Sequence, residues 1–164
     1  VGAASFPAFG GSAFSADNGG ARHASATLKD VSGTVVGFAK FTEDATGALH
    51  VNVKVEGLSK GLHGAHIHAV ADCAPPFAAA GGHHNPGAAT HGAHAGDLPN
   101  LQVNGAGRGH LNASTDHVTL SAGPLSLFDS NGSALVIHAA EDDGTTDPTG
   151  NSGARIACGV ITAG

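Results

Sequence analysis

The chain has 164 residues and a formal charge of −6, from seven Lys and Arg against 13 Asp and Glu. That length supports one hydrophobic core of ordinary size and asks for no second domain. The negative balance opposes general attraction to phosphate backbones, so nucleic acid is not an expected partner. No apolar run approaches the roughly 18 residues of a spanning helix, so a soluble chain with no membrane span is expected.

Residues 1–23 are rich in Gly, Ala and Ser without a sustained period and read as a loosely ordered arm, with Phe6, Phe9 and Phe14 available to dock it on the remainder, residues 24–164. The opening residue is Val1, so either a targeting segment has been removed or the chain was cut there. Short alternating runs then begin: 24–29, 34–42 and 49–56, where Val51, Val53 and Val55 share one face. The turns Val31-Ser32-Gly33 and Glu43 to Gly47 are short enough for hairpins. Further strands are expected at 64–68, 101–103, 109–114, 134–138 and 154–161, with Asn104-Gly105 as another hairpin turn. About eight strands punctuated by 26 glycines predict an all-β antiparallel sandwich or flattened barrel. Two connections, 69–99 and 139–153, are too long for simple turns and predict functional loops. Gly105 to Gly109 is weak as a phosphate loop because no helical pattern follows it, and Asn112-Ala113-Ser114 fits a glycosylation acceptor that arises easily by chance.

Twelve histidines are the anomaly of the composition. His23, His50, His63, His110 and His117 stand alone and read as surface or satisfied core residues. His66 and His68, two apart in a strand, project to one face as half of a metal site, although exposed strand histidines would look the same. The loop that follows carries His83, His84, His91, His94 and Asp97, enough imidazole and carboxylate to close around a tetrahedral zinc ion. A metal-scavenging tract is the plainer alternative. His138 ends a strand and adds another imidazole. Cys73 and Cys158 lack a close-spaced partner, which leaves a long-range disulfide and two buried thiols both open.

Five segments, Gly64-Ala65-His66-Ile67-His68, Gly82-His83-His84-Asn85-Pro86, His94-Ala95-Gly96-Asp97-Leu98, Val136-Ile137-His138 and 153–161 with Arg155 and Cys158, resemble the copper/zinc superoxide dismutases, in the family's order. The resemblance covers roughly residues 24–164 and implies an eight-stranded Greek-key barrel. It implies copper at His66, His68, His83 and His138, and zinc at His83, His91, His94 and Asp97. His83 would be the bridging imidazolate, with His84 taking that place if the register shifts by one. Asp142 matches the carboxylate that accepts hydrogen bonds from one copper and one zinc histidine, and Cys73 pairs with Cys158. The bacterial secreted or periplasmic type is the nearest in character, with superoxide as substrate and a homodimer left open.

Copper cycles by one electron and zinc does not, so copper would be the catalyst. Arg155 would hold the anion beside it, and His83 would release copper and carry a proton. Neither long loop contains a lysine, while the second holds Glu141, Asp142, Asp143 and Asp147, so steering would fall to Arg155 and the metals. The rival readings are a non-enzymatic copper/zinc-binding module on the same fold and a zinc hydrolase; the second is disfavoured because no general base or oxyanion motif stands out.

Overall fold

A computed structural model describes residues 21–164, so the docking of Phe6, Phe9 and Phe14 lies outside the described residues. The described residues form ten strands: β1 Arg22–Asp30, β2 Val35–Glu43, β3 Leu49–Val55, β4 Gly61–His63, β5 Ala65–His68, β6 Leu101–Val103, β7 Gly109–Thr115, β8 Ala134–His138, β9 Arg155–Val160 and β10 Thr162–Ala163. A single helical turn, Ala78–Ala80, interrupts the first long loop. No helix among the described residues is long and apolar enough to cross a membrane. Eight of the strands fall where the alternation predicts them; β4 and β10 are additional, and β1 starts at Arg22, inside the stretch read as an arm.

Hydrogen-bonded neighbours run β4-β6-β7-β3-β2-β1-β9-β8-β5, with β10 on β1, and the pairs are antiparallel. The two ends of that order, β4 and β5, are consecutive in the chain with only Gly64 between them. The sheet therefore bends back on itself into a nearly closed barrel, and the skipped neighbours are Greek-key crossovers. Gly64 turns this corner with its own amide on Ala140 O at 2.8 Å and its carbonyl taking the His138 amide at 2.9 Å.

Period-2 alternation fills the interior. In β3, Leu49, Val51, Val53 and Val55 are buried while His50 and Lys54 face solvent. Phe41, Leu28, Ile67, Leu101, Leu111 and Ile137 join them in one apolar cluster. β5 and β8 are buried along their whole length: Ala65, Ile67, Leu135 and Ile137 face this cluster, while on the other side His66, His68 and His138 are buried and Ala134 and Val136 pack in a smaller cluster with Phe77, Ala80 and Cys158. The loop after β7 is held to the barrel by Glu43, whose carboxylate accepts the Leu120 amide at 2.5 Å, the Ser121 amide at 2.8 Å and the Ser121 hydroxyl at 2.6 Å. Glu43 is only 6% exposed.

Removing that carboxylate strands two backbone donors beside a buried leucine. Glu43→Ala is expected to destabilise the fold by about 3 kcal/mol in chemical denaturation, since each bond to a charged acceptor is worth roughly 1.5–3 kcal/mol, with Glu43→Gln recovering part of the loss. An unchanged denaturation midpoint for Glu43→Ala would refute the clamp.

Candidate metal centre

His66 and His68 sit on β5 opposite Val136 and Ala134 of β8, and His138 ends β8. The other side of β5 is taken by the first long loop, through the pairings His66 with Asp97 and His68 with His83. Backbone bonds from Ile67 N to Gly96 O and from His84 N to Ile67 O, both 2.8 Å, hold that loop against the strand. Gly96 is required there, since a Cβ would overlap the carbonyl oxygen of Ile67.

Two four-residue groups of potential ligands result, His66, His68, His83 and His138, all buried, and His83, His91, His94 with the part-buried Asp97, beside a smaller group of His66, His91 and Asp142. In each group the donor atoms lie within 4.8 Å of one another. His83 belongs to both, and His84, though buried, belongs to neither. His23, His50, His63, His110 and His117 also fall outside them. His63 is instead a buried tie, its ring nitrogens 2.7 Å from His138 O and 2.8 Å from Ser59 O.

Hydrogen bonds on the far side of each ring determine what faces inward. His68 Nδ1 donates to Gly81 O at 2.9 Å and His138 Nδ1 to Gly153 O at 3.1 Å. In the neutral rings both Nε2 atoms are then bare, yet they stand 3.4 Å apart. His66 Nε2 donates to Asp142 Oδ2 at 2.5 Å and His91 Nε2 to Asp142 Oδ1 at 2.8 Å, leaving both Nδ1 atoms bare. Those two Nδ1 atoms and His83 Nε2 are buried with no hydrogen-bond partner. His83 Nδ1 points the other way, 2.7 Å from Asp97 Oδ1 and 3.2 Å from His94 Nδ1. In the first group the buried lone pairs of His66 Nδ1, His68 Nε2, His83 Nε2 and His138 Nε2 converge without a proton among them, which is unstable as it stands and suits a metal cation, while in the second His83 gives its Nδ1 proton to the Asp97 carboxylate. An imidazole-only set fits copper, and imidazoles with one carboxylate fit zinc.

Burial keeps the His66, His68 and His138 rings neutral. It pushes the His66, His68 and His138 pKa values down from 6.5 to about 3, about 2 and about 4 respectively. For Asp97 burial works upward, but hydrogen bonds from His83 and the Gly92 amide outweigh it and lower the carboxyl to about 2.

The second long loop supplies Asp142 and its supports. Asn100 accepts the Asp142 amide and donates to the Asp142 carbonyl, both at 2.9 Å, so the main chain of this aspartate is fixed on both sides. Asp143 turns back into its own loop, accepting from the Thr145 and Thr146 amides and from Asn151 Nδ2. Asp147 accepts the His91 amide at 2.7 Å. Gly150, at φ 62°, leaves the space that the Asp142–His91 contact fills: a Cβ there would overlap the Asp142 carboxylate and lie 2.5 Å from His91 Nε2. Sequence motifs did not mark Asn100, Asp147 or Gly150 as supports, because each has its role only where the loops meet, whereas the bonds of Asp143 stay within its own loop.

Arg155 begins β9 and is half-buried. Its NH1 donates to Phe77 O at 2.7 Å and NH2 to Gly81 O at 2.6 Å, which aims the guanidinium across the first loop. It lines a hollow of about 390 Å3 with His83, His94, Asn85, Pro148 and Thr149. Cys73 and Cys158 form a disulfide, Cα atoms 5.6 Å apart, tying the same loop to β9 three residues beyond Arg155.

Residues 35–161 match the copper/zinc superoxide dismutase (SODC) family. The chain is 41% identical over 156 residues to a Cu-Zn superoxide dismutase of Deinococcus radiodurans, covering 84% of this chain and 83% of that protein. It is 42% identical over 147 residues to Cu-Zn superoxide dismutase 2 of Aquifex aeolicus, covering 84% and 85%. Among solved structures it resembles a double mutant of a SOD-like protein from Bacillus subtilis, with a TM-score of 0.79, 38% identity, and coverage of 83% and 95%.

The lowered histidine pKa values make metal-free protein acid-labile. Neutral in the fold and titrating near 6.5 when unfolded, these rings contribute stability that is complete above pH 6.5 and lost as pH falls through their folded values of about 4, 3 and 2. Calorimetry of chelator-stripped protein is expected to show Tm falling steadily from pH 7 to pH 4; a flat profile over that range would contradict the buried neutral rings.

Proposed function

The chain belongs to the copper/zinc superoxide dismutase family, and from that membership we propose how its own residues convert superoxide into dioxygen and hydrogen peroxide. Copper is assigned to His66, His68, His83 and His138, and zinc to His83, His91, His94 and Asp97. One observation carries the assignment: His83 turns Nε2 toward the first group, where it has no partner, and Nδ1 toward the second. Copper, when bound, supplies the one-electron cycle that the reaction needs, and zinc supplies a fixed charge without redox chemistry of its own.

The protein residues do the remainder. His83 Nε2 is the atom at which the chain holds a proton for the nascent peroxide, while Nδ1 stays committed to the Asp97 side. His68 and His138 are locked by the carbonyls of Gly81 and Gly153, and His66 by Asp142, so the copper-facing nitrogens keep their tautomers through a turnover. Arg155 meets the substrate. Its guanidinium is a permanent charge, and backbone carbonyls rather than a carboxylate hold it, so the charge is not neutralised by an acidic partner.

The approach to the site is otherwise sparing of cations. Pro148, Thr149, Asn85 and Gly82 line the hollow with Arg155, and Asp142 and Asp143 are turned into hydrogen bonds of their own. Steering is accordingly assigned to Arg155 and the metal charge. The Cys73–Cys158 disulfide suits an oxidising compartment, so a periplasmic or secreted site of action is assigned. The non-enzymatic alternative loses ground because all four copper-type imidazoles and Arg155 are present together.

Stripped protein refilled with copper is expected to dismutate superoxide, with or without zinc, whereas zinc alone restores none of the activity; equal activity with zinc alone would sink the redox reading. Arg155→Ala is expected to lower kcat/KM on the order of 10-fold or more, within the range electrostatic steering supplies, and to flatten the salt dependence. A steep salt dependence surviving in that variant would point to a cationic surface other than Arg155.

A further inference from the structure

Asp147 stands on the outer side of the second long loop with a side chain 55% exposed, which by itself describes a solvated surface acid. Its contacts are more specific. Oδ1 accepts the backbone amide of His91 at 2.7 Å, and the same oxygen lies 3.9 Å from His94 Nε2. The His94 ring is oriented by its inner edge: Nδ1 is 3.2 Å from His83 Nδ1 and 3.3 Å from Asp97 Oδ1, so Nε2 faces outward, toward Asp147. Asp142 stands in the corresponding relation to His66 and His91, a carboxylate behind the nitrogen that does not face the group.

The segment 91–94 shows why a second carboxylate is needed. Its backbone donors are divided among three acceptors: His91 N to Asp147 Oδ1, Gly92 N and His94 N to Asp97 Oδ2 at 2.8 and 3.1 Å, and Ala93 N to Thr90 O at 3.1 Å. Asp97 is also one of the assigned ligands, so it supports this turn from within. Asp147 supports it from the opposite side, and it is the member of the set that comes from the other loop. The two loops also meet closely here, since a Cβ on Gly92 would overlap the carbonyl oxygen of Gly144. His91 is thereby held at both ends, its ring by Asp142 and its main chain by Asp147.

We propose that Asp147 is a positioning residue of the zinc group, fixing the His91 main chain by a hydrogen bond and placing negative charge behind His94. The proposal rests on the assignment of zinc to His83, His91, His94 and Asp97. Negative charge so placed favours a cation on the ligand ring without a hydrogen bond to it, the bond to the His91 amide holds the main chain, and loss of a supporting partner typically weakens metal binding roughly 10- to 100-fold. The two parts of the role are separable. Asn in place of Asp keeps an oxygen to accept the His91 amide and removes the charge behind His94, whereas Ala removes both.

The test is zinc titration of metal-free full-length protein against a chromophoric chelator, for wild type, Asp147→Asn and Asp147→Ala, with the thermal midpoint of each metal-free protein measured alongside. Zinc affinity is expected to fall roughly 10-fold or more in Asp147→Ala and by a smaller factor in Asp147→Asn. The His94 Nε2 proton resonance of the zinc-loaded protein is expected to shift in both variants. Equal zinc affinity in wild type and Asp147→Ala overturns the proposal. So does equal loss in both variants with an unshifted His94 resonance, the outcome of a merely structural residue. Wild type that fails to bind zinc overturns the ligand assignment itself, and Asp147 falls with it.

Discussion

Neutral imidazoles whose protons are already given to carbonyls or carboxylates face one another inside a protein at a cost that a cation between them removes. His68 and His138 present that conflict directly, with both Nδ1 protons committed and the Nε2 atoms 3.4 Å apart. His66, His83 and His91 add buried nitrogens with no partner. The barrel, the loops and the supporting carboxylates are organised around keeping those lone pairs aimed at common points, which is costly in the empty protein and productive in the loaded one.

The work is divided between rigid and adjustable parts. β5 and β8 present His66, His68 and His138 from strands whose opposite faces are sealed in the core, so these rings move only if the barrel does. The remaining ligands come from a loop with little regular structure, and its order is imposed from outside. The β5 edge pairs with it, Arg155 takes its carbonyls, the disulfide ties it to β9, and the second loop closes over it. A chain-entropy argument gives a link across 85 residues about 4.6 kcal/mol, a large share of a typical domain's roughly 5–15 kcal/mol. Reduction would therefore loosen the arginine's mooring as well as the fold.

How much of this could be read from the chain follows from the range of each interaction. Alternation in β3 and the His66-x-His68 spacing are local patterns, and they transfer directly to a buried face and a shared side of a strand. His138 was visible because it closes an apolar run. β4 and β10 were not, since Gly61-Leu62-His63 and Thr162-Ala163 lack the apolar alternation of Leu101-Gln102-Val103 and exist only through their pairing with β6 and β1. Choosing among the loop ligands needed the family resemblance, because spacing within an irregular loop does not fix geometry. Asn100, Asp147 and Gly150 lay beyond both kinds of reading. Each matters only at the seam between two loops distant in sequence, and a lone asparagine, aspartate or glycine announces nothing.

Gly64 draws three of these elements into one point. It joins the two terminal strands of the sheet, and a Cβ on it would come within 2.8 Å of Ser152 Cβ and 3.0 Å of His66 Cε1. A side chain at this corner would push on the second loop, on the His66 ring and on the seam of the barrel simultaneously. An opened seam exposes strand edges that other chains can extend by pairing. The residue that leaves room for the His66 ring thus also leaves the corner of the barrel undisturbed, so the histidine cluster and the sheet edge share one steric limit.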